Sequence, residues 1–226
     1  MLRTVAPFNP ANIPGCVLYL PLWKSYLQGS SFYSLDQYRH LCTVTGATWG
    51  SQGYSFDGID DGIAVVHHAN QLLTTGGSIG EWVYPTGNGE SAPCIVDKST
   101  NVSGAGGFKI NKGLDADDRF VGRINGGTQI VSTGTLTRNS WNHLVVTWSN
   151  TGLITLYLNG AQDSTTPAIS ADPAGITTAN ALTIGNRSGA TDRTFDGGIG
   201  EVQIYNRVLS VGESSNIYSA TCWRYK

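Results

Sequence analysis

The sequence predicts an all-β fold: antiparallel strands packed as a two-sheet sandwich or a barrel. Three observations carry this. Charged residues make up 13% of the chain, about half of the ~25% usual in globular domains, so the strong helix formers Lys and Glu are sparse. Glycine is abundant, at 29 of 226 residues, and supplies turns together with Asn, Ser and Thr. Strand-sized apolar runs recur at short, fairly even spacing between those turns. With 40% hydrophobic residues, a chain of this length buries a core without disulfide staples.

The elements follow in order. Residues 1–14, with Pro7, Pro10 and Pro14, read as an irregular N-terminal arm; residues 15–226 read as one domain with no internal repeat or linker. Val17–Leu22 is a strand. Trp23–Leu41 lacks clean alternation and reads as an aromatic-rich loop. Strands are then predicted over 43–48, 63–66, 79–84, 94–97, 107–111, 119–124, 128–132, 143–148, 154–159, 181–184 and 201–206. Asn125-Gly126 and Asn159-Gly160 predict tight primed hairpin turns, since both central residues must take positive φ. In 143–148, Leu144, Val146 and Trp148 share one face, as Leu156 and Leu158 do in the next strand. Ser210-Val211-Gly212-Glu213 is a capping box, which starts one short C-terminal helix with Ile217 and Tyr218 on it.

Composition also excludes functions. The net charge is −2 and the cations are scattered, so no nucleic-acid surface is read. The longest apolar stretch, Cys16–Trp23, is far short of the ~20 residues of a membrane span. Its proline-rich flank argues against a signal peptide, and no export signal is read in the sequence. Cys16, Cys42, Cys94 and Cys222 form no C-x-x-C pair. Four cysteines allow three pairings, and they read as mainly buried free thiols.

Seven stretches look familiar together. They are Gly15–Leu22, Thr43–Trp49, Tyr54–Asp61, Glu81-Trp-Val-Tyr-Pro-Thr86, Trp141-Asn-His-Leu-Val-Val-Thr-Trp148, Thr155-Leu-Tyr-Leu-Asn-Gly160 and Phe195–Ser210. In that order and spacing, over about residues 15–220, the chain resembles the LamG-like jelly-roll family of the concanavalin A-like lectin/glucanase superfamily. The resemblance implies a two-sheet antiparallel jelly-roll sandwich, and, because first and last strands are often neighbours in this fold, a Cys16–Cys222 bridge is the alternative to free thiols. It leaves function open, because the fold hosts lectins, adhesion modules, lyases and glucanases. It also implies that Trp49, Trp82, Trp141 and Trp148 are core residues and that His143 is structural. Relatives often hold a structural calcium, through an acidic turn after the first strand and an Asp before the Glu-Val of the last long strand. Here Ser34–Leu41 replaces the first and Gly200 stands at the second.

Candidate sites follow. Asp57, Asp60 and Asp61 offer clustered carboxylates to Ca²⁺, or simply a structural turn whose Asp side chains accept backbone N–H groups; the turn is the reading we take. No other cofactor is implied. Asp115-Ala-Asp-Asp118 reads as a solvated hairpin tip. Glycoside hydrolysis needs two facing carboxylates, yet Glu201 stands alone on its strand and Glu81 on another. Adjacent His67 and His68 point to opposite faces of a strand and cannot share a metal. A catalytic role is therefore not expected.

Trp23, Tyr26, Phe32, Tyr33 and Tyr38 of the 23–41 insert are the candidate ligand or contact residues, with Trp223 and Tyr225 in the tail. The expected function is non-catalytic carbohydrate recognition or adhesion at a surface. The alternative is a structural assembly protein, a virion or cell-surface component, with a homo-oligomer contact through the insert. Either reading places the protein outside the cell, on its surface or in a virion, with a glycan or a protein as partner.

Overall fold

The computed structural model describes residues 8–113, 118–169 and 172–226. Sixteen strands lie among them: β1 (Cys16–Leu20), β2 (Ser31–Tyr33), β3 (Leu41–Thr45), β4 (Thr48–Gly50), β5 (Gly53–Asp57), β6 (Gly62–Val65), β7 (Gly76–Pro85) and β8 (Cys94–Lys98) in the first half. The second half adds β9 (Phe108–Lys112), β10 (Phe120–Ile124), β11 (Ile130–Val131), β12 (Asn142–Ser149), β13 (Leu153–Leu158), β14 (Ala161–Ile169), β15 (Leu182–Ile184) and β16 (Asp196–Tyr205). One helix, α1 (Val211–Thr221), follows.

The strands make two antiparallel eight-stranded sheets. The first runs β14-β13-β12-β7-β16-β5-β4, with β1 also on β16. The second runs β11-β10-β9-β8-β15-β6-β3-β2. The long strand β16 pairs along its whole length with β7. Its opposite edge is shared, by β5 over Asp196–Ile199 and by β1 over Val202–Tyr205. This is the jelly-roll sandwich expected from the sequence.

Alternation sorts the side chains. Leu144, Val146 and Trp148 enter the inter-sheet core with Leu156, opposite Ile110, Val96 and Ile184 of the other sheet. The other face of the first sheet is buried too. Cys16, Tyr19, Val145, Tyr157 and Tyr205 form a second apolar layer beneath Leu209 and Ile217. Helix α1 makes that cover. Ser210 Oγ accepts from the Glu213 N–H at 3.2 Å and Glu213 Oε2 accepts from the Ser210 N–H at 2.8 Å, the capping box read in the sequence. Both primed turns are present, with Asn125 at φ 45° and Asn159 at φ 49°.

Some expectations need correction. The 23–41 segment is not one loop: Ser25–Leu27 form a 3₁₀ turn and Ser31–Tyr33 form edge strand β2. Strand β5 (Gly53–Asp57), not among the predicted strands, leads into the turn that carries Asp57, Asp60 and Asp61. Strand β14 was missed because Gln162-Asp163-Ser164-Thr165-Thr166-Pro167 carries no apolar alternation. It is a sheet edge, where a proline costs no ladder bond on its open side. In the described part of the arm, Pro10 is buried, and its carbonyl lies 3.2 Å from the Tyr205 hydroxyl. All four cysteines are free thiols, so Cys16 and Cys222 are not bridged. Burial pushes the Cys16, Cys42 and Cys94 thiols up to about 12. Among the described residues, no helix is long and apolar enough to cross a membrane.

Candidate functional site

The covered outer face of the first sheet opens at one end into a cleft of about 700 Å³, within the ~300–1,000 Å³ of ligand pockets. Trp23, Lys24 and Tyr26 come from the insert, Trp223 and Arg224 from the tail, and Asn12 from the arm. Three remote chain segments therefore build it. The insert and the tail meet on Glu201, which β16 projects outward in line with Gln203 and Tyr205.

Glu201 is fully buried and fully used. Its Oε2 accepts from Trp23 Nε1 at 3.2 Å and from Arg224 Nη1 at 3.0 Å. Its Oε1 accepts from Gln203 Nε2 at 2.8 Å. Burial raises its pKa, and Arg224, Trp23 and Gln203 oppose that rise. An ionised, hydrogen-bonded pair is the arrangement a buried charge needs.

Above this floor, rings and cations alternate. Lys24 Nζ lies 5.4 Å from the Tyr26 ring centre and 4.7 Å from that of Trp23. Arg224 Cζ lies 4.7 Å from Trp23 and 5.0 Å from Trp223. The order is thus Tyr26, Lys24, Trp23, Arg224, Trp223, each contact within cation–π range. The two end rings face solvent, at 61% and 64% exposure. Such flat, exposed aromatic faces suit stacking of apolar sugar C–H faces, while Asn9 and Asn12 bring amide groups to the rim.

The five insert aromatics separate. Trp23 and Tyr26 line the cleft. Phe32 does not reach solvent: its ring lies in the main core, 6.0 Å from that of Tyr54, because alternation in β2 turns Phe32 inward and Tyr33 outward. Phe32 is thereby corrected from contact residue to core residue. Tyr33 lies under Arg39 at 5.5 Å, and Tyr38 packs against His40 and His68 at 5.9 and 5.6 Å, both on the second sheet's side. In the tail, Tyr225 is buried and stacks on Trp82 at 4.5 Å.

The remaining candidates make local hydrogen bonds and ion pairs. Asp57, Asp60 and Asp61 bring one carboxylate oxygen each within 4.8 Å of one another. Asp61 Oδ2, however, accepts from the Asp57 N–H at 2.8 Å and Asp57 Oδ1 from the Ile59 N–H at 2.9 Å, as a turn requires. A Cβ on Gly200 would stand 2.4 Å from Tyr225 Cε1, so the tail occupies the space that the family's Asp at this position would need. His67 bonds Lys98 Nζ at 2.9 Å, whereas His68 Nδ1 accepts from the Asn70 N–H. Of the 115–118 cluster, residues 115–117 lie outside the described residues. Asp118 is ion-paired with Arg138 and Lys112, at 2.9 and 3.1 Å.

Among the core tryptophans, Trp148 alone is fully buried between the sheets. Trp82 is buried on the outer face, donating to Thr221 Oγ1 at 2.9 Å, and Trp49 and Trp141 are half-buried. His143 is fully buried beside Trp82 and Tyr218, at 5.0 and 5.8 Å. Neither of its ring nitrogens has a partner, and burial depresses its pKa to about 3.

A model of the concanavalin A-like lectin/glucanases superfamily matches residues 56–213. No curated protein sequence matches the chain. Among solved structures, Trypanosoma rangeli sialidase in complex with a difluorinated nononic acid superposes with a TM-score of 0.74 at 15% identity, over 100% of this chain and 36% of that one. The binding domain of Paraclostridial Mosquitocidal Protein 1 gives 0.67 at 17%, over 93% and 52%. The binding domain of botulinum neurotoxin serotype D gives 0.63 at 13%, over 92% and 52%. The chain thus spans about a third of the sialidase and half of each toxin domain, and these likenesses concern the fold.

Proposed function

Because the chain belongs to the concanavalin A-like lectin/glucanases superfamily, we propose that it is a non-catalytic glycan-binding module whose ligand sits in the Trp23–Tyr26–Trp223 cleft. The observation that carries this is the pairing of solvent-facing Tyr26 and Trp223 rings over a floor in which Glu201 is already committed. Most glycoside hydrolases use two carboxylates about 5–9.5 Å apart, one of them free to give a proton. Among the described residues lining the cleft there is no carboxylate, and Glu201 beneath it is held by three donors. The site is built to hold, not to cleave. Fold neighbours that carry the words "binding domain" in their descriptions support this reading; the sialidase likeness covers a third of that enzyme.

A glycan array followed by titration calorimetry tests the proposal. Tyr26→Ala and Trp223→Ala are expected to weaken binding at least tenfold each while leaving the melting temperature in place. Turnover of a bound glycan, or binding indifferent to both substitutions, would overturn it.

One observation favours the assembly reading as a second. Tyr33, Leu41 and Val66 stand side by side on the outer face of the second sheet, at 51%, 38% and 52% exposure. A row of exposed apolar side chains there fits a protein contact. A sedimentation measurement on Tyr33→Ser separates this from the cleft, which that residue does not touch.

A further inference from the structure

We infer that the cleft selects a saccharide bearing an acidic group, a carboxylate or a sulfate, and that Lys24 is the residue that reads it. This rests on the glycan-binding reading above and adds the ligand's charge to it.

The inference follows from charge balance around the cleft. Among the described residues, two cations and one carboxylate meet there. Arg224 and Glu201 compensate each other at 3.0 Å, and Glu201 is sealed from solvent. Lys24 is left over. Its ammonium has two rings for neighbours, Trp23 and Tyr26, and no carboxylate among the described residues. The other walls, Phe8, Asn9, Asn12, Tyr19 and Leu35, bring no negative charge either. Ring contacts hold the ammonium in place without neutralising it. A half-buried cation with fixed position and no counter-charge is a specificity element: an anionic ligand gains a charge-assisted bond there, and a neutral one gains none.

The placement also suits a sugar acid. Lys24 lies between the exposed Tyr26 ring and the indole of Trp23, so a pyranose stacked on Tyr26 would present a ring substituent to the ammonium. Asn9 Oδ1 accepts from the Ala11 N–H at 3.0 Å, which leaves its amide N–H groups for hydroxyls at the same rim.

Matched pairs test this on the full chain: sialylated lactose against lactose, and a sulfated galactose oligosaccharide against its unsulfated form. The two pairs distinguish a carboxylate from a sulfate as the source of charge. The acidic member of at least one pair is expected to bind at least tenfold more tightly, in line with one charge-assisted bond. That preference should collapse in Lys24→Met, which keeps the stem, and persist in Lys24→Arg. Raising salt on the native protein should weaken the acidic member selectively, a readout independent of whether Lys24→Met folds. Equal affinities within both pairs, or a preference that survives Lys24→Met, would overturn the inference and leave the glycan-binding reading standing. Failure of every saccharide to bind would overturn both.

Discussion

The indole N–H of Trp23 donates to Glu201 Oε2 across 178 residues of sequence, and Arg224 reaches the same oxygen from the tail. One buried carboxylate oxygen therefore ties together the first-strand loop, the last strand and the C-terminal segment. Each tie also places a wall of the cleft, so site geometry and local stability depend on the same atom.

Removing one partner should show that dependence. Arg224→Met leaves a buried carboxylate with neutral donors only, and is expected to cost ~2–4 kcal/mol near pH 7. Glu201 has its folded-state pKa raised, mainly by burial. Such a group contributes stability that is present below the unfolded pKa near 4.5 and lost as pH rises through the folded value. Without Arg224 that value moves further up, so the substitution should cost least near pH 4.5. Urea melts at pH 4.5 and 7.5 check this; equal costs at both would show that Arg224 acts by packing.

Within β2, neighbouring aromatics should behave oppositely. Phe32→Ser opens a hole in the main core and is expected to cost at least ~3 kcal/mol. Tyr33→Ser, on the solvent side, should stay within ~0.5 kcal/mol. Denaturant titration of the two variants reads the register of β2 directly, since a one-residue slip would exchange the results.

Two buried titratable groups should shape the pH profile from opposite sides. Glu81 faces the inter-sheet core between Leu144 and Val202, with neither oxygen partnered. Burial raises its pKa well above the usual carboxylate value. Its contribution is full below about pH 4.5 and falls by up to ~1.4 kcal/mol per unit as pH rises toward the folded pKa. Glu81→Leu should therefore stabilise the protein more at pH 8 than at pH 5. For His143, depressed to about 3, the sign reverses. The unfolded chain takes up the proton below about 6.5, so stability falls on acidification down to about pH 3. His143→Phe should flatten that acid limb, by ~2 kcal/mol at pH 5. Melts from pH 4 to 9 check both, and an unchanged slope in either variant would place that side chain in contact with water.

Much of the sandwich was legible because its signals are local. The hairpin at Asn159-Gly160, the capping box at Ser210–Glu213 and the alternation through Leu144–Trp148 each specify their element within a few residues. The cleft was only half legible. Trp23, Tyr26 and Trp223 stood out as aromatics outside the family pattern, yet nothing nearby in sequence says that residues 23 and 223 meet. In the sequence Glu201 stands as a carboxylate without a partner, since its partners lie on other segments. A signal was present: Glu201, Gln203 and Tyr205 alternate as polar-capable residues on a strand whose other face is apolar, which marks a polar layer beneath something. Phe32 was misplaced for the converse reason. In a three-residue edge strand, alternation is too short to distinguish inward from outward without knowing where the strand docks.

The pairing of β1 with the last long strand sets a timetable for biosynthesis. Cys16 is partnered by Tyr205 and Leu20 by Val202, so β1 has no edge to dock on until β16, about 180 residues later in synthesis, has followed. Loop closure of that span is slow compared with hairpins such as β12–β13, which can form as they emerge. Until then β1, apolar on both faces, is exposed to wrong partners. A nascent chain stalled before β16 should therefore be a chaperone client, and one stalled between β16 and Arg224 should hold a closed sandwich that still lacks a wall of its cleft. Binding competence would then follow closure of the sandwich, not precede it.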